Sequence, residues 1–416
     1  MSYKTYESYK DSGIEWIGKI PQNWSISRVK NYFAIKSGDS PVKKESGKYE
    51  IIGANGCIGV TDDFNITEKH ITIGRVGAAG AINITPQKAF VSDNALILDF
   101  NKDFIFNYAF YLLKSLNWDS LINKNAQPLI TSSQVKNLFI PKIHIDEQLQ
   151  ISKFLDKKTS EIDENIAKNK ELISLLEEKK TALINQVVTK GLDPNVPMKD
   201  SGIEWIGEIP EHWDVKKLKN ILNHITDGSH SSVELVDEGY PYVTVIDLNE
   251  EKESVNVENC KRISKEDYDF LVRNGCKPSF GDILFSQIGT VGLVVPVKNF
   301  DNYVVLSSIA ILTPSNNVEK RWLIHFLKSQ MIKNQCKMLM AGGAVKRITL
   351  NHIANFSIIS PPKTEQKEIY LKLDENSSKI NKIINKIQEN IDLLEEYKTS
   401  LIHHAVTGKI DVRDEI

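Results

Sequence analysis

The chain has 416 residues, 41% hydrophobic and 25% charged, with a formal net charge of −2. That is long enough for two or more domains with buried cores, and no apolar run approaches the ~20 residues of a membrane span. The first residues lack the apolar core of a signal peptide, and Cys57, Cys260, Cys276 and Cys336 form no CxxC pair. Zinc, a disulfide framework and a membrane are therefore not expected, and a reducing cytoplasm is.

The chain is written twice. Lys10–Trp24 reads KDSGIEWIGKIPQNW and Lys199–Trp213 reads KDSGIEWIGEIPEHW, identical at twelve of fifteen positions at an offset of 189. Between this strip and the next repeat, the first middle segment (28–145) reads as mixed strand and helix. Its β-rich runs IIGANGCIGVTD and ITIGRVGAAGAINI are punctuated by glycine and lead to the strand SDNALIL and the helical run FNYAFYLLKSL. A polar loop, a short helix and a last strand follow in NAQPLITSSQVKNLFIPKI. The stretch 120–145 holds no acidic residue, so the net charge hides a local basic segment.

The next segment carries apolar residues at an alternating three–four spacing. Leu155, Ile162, Ile166, Ile173, Leu176 and Leu183 form a seam, without Gly or Pro, that ends at Thr189-Lys190-Gly191. This is the heptad signature of a coiled coil, and Gly suits the left-handed turn that stops a helix. A helix of about 40 residues would be about 60 Å long and would need a partner for its seam.

The second half repeats the order. Its middle (214–362) holds TDGSH, PYVTVIDL, GDILFSQIGTVGLVVPV, LSSIAIL, RWLIHFLKSQMI and GGAVKRITLNHIANFSIISPP, with no acid between 320 and 364. The second seam is Leu373, Ile380, Ile384, Ile391, Leu394 and Leu401. Ile391–Asp411 matches Ile173–Asp193 at twelve of twenty-one positions at an offset of 218, which also aligns Glu147-Gln148 with Glu365-Gln366. Lys180 and Lys398 interrupt the two seams at the same register, and each helix is the expected partner of the other. Matched frames around divergent middles suggest two modules doing one job on different targets.

The expected fold is α+β: two mixed α/β domains, distant copies of one fold, separated by two long helices that pair as a coiled coil. The domains expected are 1–145, the first reader with its Trp strip, and 146–191, the first spacer helix. Residues 192–364 form the second reader, and 365–416 the second spacer helix and tail. Arg and Gln make bidentate contacts to guanine and adenine, so turns carrying Arg75, Gln287 and Thr290 are candidate DNA contacts. Asp227 and His230 in the TDGSH loop, and Lys124, Asn125, Gln127, Lys346 and Arg347 in the two polar loops, complete the set. Neither glycine loop is GxxxxGK[ST], and the sequence offers no Walker A loop, no HExxH, no GxSxG and no amino-methyltransferase motif. His403-His404 reads as a solvent-facing pair. Binding and scaffolding are expected, not catalysis, and no metal; the competing reading is a coiled-coil adaptor with twin protein-binding domains.

The duplicated strip, the repeated Glu-Gln helix starts, LLEEKKTALINQVVTKG with its copy, GDILFSQIGTVG and TDGSH together resemble the specificity subunits of Type I restriction-modification enzymes. The resemblance covers essentially the whole chain. It implies two pseudo-symmetric target-recognition domains, each reading one half of a split, asymmetric sequence in double-stranded DNA, and long helices that form an antiparallel coiled coil and act as a ruler between half-sites. It also implies docking of two methyltransferase subunits and of restriction (motor-nuclease) subunits. S-adenosylmethionine, ATP and Mg would belong to those partners, with no cofactor on this chain. Gln287 stands where the family often has Arg, and GRVGAAG is a reduced form of the second glycine motif.

Overall fold

The computed structural model describes residues 3–118, 121–122, 129–204, 206–299, 302–341 and 347–415. Helices are numbered in chain order: α1 Phe106–Lys114, α2 Ser132–Asn137, α3 Ile145–Lys190, α4 Lys265–Arg273, α5 Lys320–Lys328, α6 Gln330–Met340, α7 Leu350–Ala354 and α8 Lys363–Val406. The chain divides into two compact units, Met1–Lys170 with Ile387–Ile416, and Glu171–Lys386. Each unit therefore owns half of each long helix, a division that no linear reading of the chain suggests. Its cause is the antiparallel course of α3 and α8, which returns the C-terminal end of α8 to the start of α3 within the first unit.

In the first unit, a four-stranded antiparallel sheet runs in the order 33–37, 95–100, 71–74, 82–84, beside a three-stranded sheet of 56–61, 49–53 and 90–91. Ile71, Ile73, Leu96 and Leu98 are fully buried in the first sheet. The second unit repeats the four-stranded order with 222–227, 309–314, 283–286 and 294–296. Its core joins Ile283, Phe285, Ala310 and Leu312 to Trp322, Leu323 and Phe326 of α5. It also has elements without counterpart among the described residues of the first unit: a small hairpin of 248–249 with 254–255, and α4. These occupy the stretch that makes the second middle longer. The run RWLIHFLKSQMI is two helices, because Ser329 is extended between α5 and α6.

Every seam residue is buried or half-buried. Leu155, Ile162 and Ile166 in the first unit, and Leu373 and Ile380 in the second, are at most 8% exposed, whereas the off-seam Leu175 and Leu393 are 54% and 63% exposed. The seam lysines end on matched partners. Lys398 Nζ donates to Asp163 Oδ2 at 2.6 Å in the first unit, and Lys180 Nζ to Asn381 Oδ1 at 2.9 Å in the second. Such a polar layer fixes register where apolar contacts alone would let helices slide.

The helix stops and the Trp strips explain one another. Gly191 (φ +79°) and Gly408 (φ +71°) end the long helices in the left-handed region. A Cβ on Gly408 would strike Pro21 and Trp24, and one on Gly191 would press on Trp213. The strip IP--W thus packs its indole on a glycine stop, once in each unit. The repeated Glu-Gln pairs complete the joint. Gln148 Oε1 accepts from Ile105 N–H and Gln366 Oε1 from Glu319 N–H, both at 2.9 Å, so each buried glutamine caps the helix of its domain. Glu147 accepts from the Tyr6 hydroxyl at 2.8 Å, while Glu365 accepts from Trp213 Nε1 at 2.9 Å.

A second joint holds each domain to its long helix, with different chemistry in the two units. In the first, Asn107 and Tyr111 of α1 donate to Asp156 at 2.7 and 2.8 Å. In the second, the matched Arg321 and His325 of α5 engage Asp374, with Arg321 binding both oxygens at 3.1 and 2.7 Å and His325 Nε2 lying 2.7 Å away. Burial works against the charge, but the His325 and Arg321 hydrogen bonds win and hold the Asp374 carboxyl at about 2. Glu253 likewise stays below its ordinary range against its own burial, held by Lys298, Lys328 and Arg321. His404 is exposed as expected, but His403 is half-buried beside Trp16.

Candidate nucleic-acid interface

In each unit four segments converge at one edge of the four-stranded sheet. In the second unit, Gly228 N–H donates to Ile309 O, Ser229 N–H to Val305 O, and Ser307 N–H to Ser229 O, at 2.9–3.1 Å. This lays the TDGSH loop along 305–309. The glycine hairpin joins them: Gln287 N–H donates to Ser308 O at 2.7 Å, and Ile348 N–H to Gln287 O at 3.0 Å. The first unit repeats every one of these bonds. Gly38 N–H meets Ala95 O, Asp39 N–H meets Val91 O, Asp93 N–H meets Asp39 O, Arg75 N–H meets Asn94 O, and Ile130 N–H meets Arg75 O. The loop passes so close that a Cβ on Gly38 or Gly228 would collide with the carbonyl oxygen of Val91 or Val305.

Arg75 and Gln287 therefore occupy one backbone position in two copies of a single frame. Arg75 is half-buried, with Nη1 3.4 Å from Ser37 Oγ, and its Nε is buried with no partner among the described residues. Gln287 is only 3% exposed, and its amide donates to Ser307 O at 3.2 Å, so here it ties the hairpin to 306–308. Thr290 and Arg347 are exposed, Thr290 in the turn of the hairpin and Arg347 in a bridge opposite Ile288. Asp227 Oδ2 lies 3.0 Å from Nε2 of His230, whose side chain is 72% exposed.

The structure brings Asp227, His230, Gln287, Thr290 and Arg347 to one edge of the second unit, and Arg75 to the matching edge of the first. Lys124, Asn125, Gln127 and Lys346 lie outside the described residues. Sequence reading missed the first unit's copy of TDGSH, the loop Ser37-Gly38-Asp39-Ser40. The signal was a glycine at an offset of 190, too small to read without the bonding pattern. The short helices that close both edges are capped alike, by Thr131 and Thr349, each in a capping box with the residue three positions on. Among the described residues, no group of three or more His, Cys, Asp or Glu side chains is placed to hold a metal, and no helix is long and apolar enough to cross a membrane.

Two α+β units, each presenting different side chains from the same bonded frame and each built onto halves of two antiparallel helices, define a twin-domain recognition protein. The sequence profile described as the Type I restriction modification DNA specificity domain matches residues 21–174 and 210–393. The chain belongs to that family of Type I restriction-modification specificity subunits. It is 23% identical to the Type I restriction enzyme MjaVIII specificity subunit of Methanocaldococcus jannaschii, over 100% of this chain and 98% of the relative. It is 26% identical to the putative MjaX specificity subunit of the same organism, over 99% of each. In fold it is similar to a chain solved in work on complex assembly and conformational transition of the type I R-M system. The TM-score is 0.66 at 16% identity, covering 95% of this chain and 99% of that one.

Proposed function

We propose that each unit reads one half of a bipartite, asymmetric duplex target through its loop edge, and that the two long helices set the gap between half-sites. The reading includes two methyltransferase subunits and the motor-nuclease subunits as partners, with S-adenosylmethionine, ATP and Mg held there and no chemistry on this chain. Its place of action is the cytoplasm. The observation that carries it is Arg75 and Gln287 at one backbone position in two otherwise repeated frames. A conserved frame with exchanged side chains is what two readers of different sequences require, because bases are told apart by side-chain donors and acceptors.

Arg347→Ala tests it. Removing one exposed base-reading or phosphate-facing guanidinium should weaken binding by about 1–3 kcal/mol. The loss should appear only with duplexes carrying an intact second half-site, measured by fluorescence anisotropy on targets scrambled in one half or the other. An equal loss on both scrambled targets would mean that Arg347 reads no half-site.

A further inference from the structure

We propose that a cavity beside Lys114 in the first unit is the acceptor for a single carboxylate side chain of the methyltransferase subunit, a place that the second unit fills with its own Glu253. The inference rests on the methyltransferase partnership proposed above.

The two units carry the same pair of lysines. The last residue of α1 is Lys114 and that of α5 is Lys328, and each lies close to its unit's seam lysine, Lys398 or Lys180. In the second unit this crowd of positive charge is answered from within the chain. The 248–255 hairpin, present only there, brings Glu253 Oε1 to 3.0 Å from Lys328, while Oε2 takes Arg321 Nη1 at 2.6 Å and Lys298 at 2.8 Å. Glu253 is the one non-glycine residue at positive φ among the described residues, at +48°. The backbone accepts an unfavourable conformation where that carboxylate is delivered.

Among its described residues the first unit has no such hairpin. There Lys114, Asp163, Ile166, Lys170, Glu395, Lys398, Thr399 and Ile402 line a cavity of about 380 Å³. Lys398 is spent on Asp163, at 2.6 and 2.7 Å to its two oxygens. Among the described residues Lys114 makes no ion pair; its ammonium stands 4.6 Å from the Phe110 ring centroid. Partial desolvation, then repulsion from Lys398, pushes the Lys114 pKa down, with Asp163 opposing them. Three lysines against two acids leave the lining one positive charge in excess, which suits one carboxylate better than a dianionic phosphate. The second unit shows that a side chain borne on a neighbouring segment is the form in which that carboxylate arrives. The long helices that line the cavity are also the surface on which the methyltransferase is proposed to dock.

The test uses the full chain and the methyltransferase encoded with it. The complex is treated with a carbodiimide, which joins an amine to a carboxylate only where they touch, and the products are mapped by mass spectrometry. In parallel, affinity is measured by isothermal titration for the wild type, Lys114→Arg and Lys114→Glu. Expected are a Lys114 cross-link to an Asp or Glu of the partner, near-normal affinity for Lys114→Arg, and a loss of roughly tenfold or more for Lys114→Glu. Thermal midpoints of the three chains, measured alongside, separate loss of the contact from loss of the fold. A complex that forms normally with Lys114→Glu and shows no Lys114 cross-link would overturn the site while leaving the partnership intact. No complex with the wild-type chain would overturn the partnership and the site with it.

Discussion

The two strip tryptophans make a controlled experiment, because they share a packing position and differ in one hydrogen bond. Trp24 and Trp213 are 1% and 0% exposed, and each lies on a glycine helix stop. Trp213 Nε1 donates to Glu365 at 2.9 Å, whereas Trp24 Nε1 is buried with no partner among the described residues. Replacement by Phe removes roughly 40 Å³ at either site, a cavity cost of about 1 kcal/mol common to both. At position 213 it also removes a hydrogen bond to a carboxylate, about 1.5–3 kcal/mol. At position 24 it removes a buried, unpaired N–H whose desolvation costs about 1–3 kcal/mol, so that term offsets the cavity. Trp24→Phe should therefore be neutral to mildly stabilising and Trp213→Phe should destabilise by about 2.5–4 kcal/mol. Urea unfolding of the full chain, followed by far-ultraviolet circular dichroism, measures both. Equal losses, or a larger loss at Trp24, would refute the assignment of different partners to the two indoles.

Further predictions concern the helices and the domain joint. Leu373→Ala, at a seam position with no exposed surface, should lower stability by about 2–5 kcal/mol, whereas Leu393→Ala, 63% exposed, should stay within about 0.5 kcal/mol in thermal unfolding. The carboxyl of Asp374 titrates at about 2 in place of 3.8. Its contribution is thus complete above pH 3.8 and is lost as the pH falls toward 2, because the unfolded chain takes up the proton first. Asp374→Asn should flatten the stability profile in that window, and a profile unchanged by the substitution would remove Asp374 from the account.

Much of this fold was legible because repetition converts weak local signals into strong ones. The seams, the glycine stops and the Glu-Gln helix starts each occur twice, and each proved to sit in a matched place. The joints were not legible. Asn107 and Tyr111 align with Arg321 and His325 at one offset, while Asp156 and Asp374 align at another, and the residue types differ. Only their shared geometry reveals one joint solved with neutral donors in one unit and with ions in the other. The Glu253 hairpin has no repeat to flag it, and the Ser37–Ser40 loop shares only a glycine with its partner. Gln287 illustrates a further limit: residue type alone did not show that its side chain is 3% exposed and bonded to Ser307 O. The two-unit division was hidden as well, since an antiparallel helix pair joins segments from opposite ends of the chain.

The most direct test of the central claim is to co-express the chain with the methyltransferase subunit proposed as its partner and map methylated adenines across the host genome. The account predicts one bipartite, asymmetric motif that vanishes without this chain, and a Lys157–Ser160 deletion that alters the gap or abolishes assembly while each half-site keeps its bases. A contiguous motif, or a deletion that changes half-site bases at unchanged spacing, would contradict it.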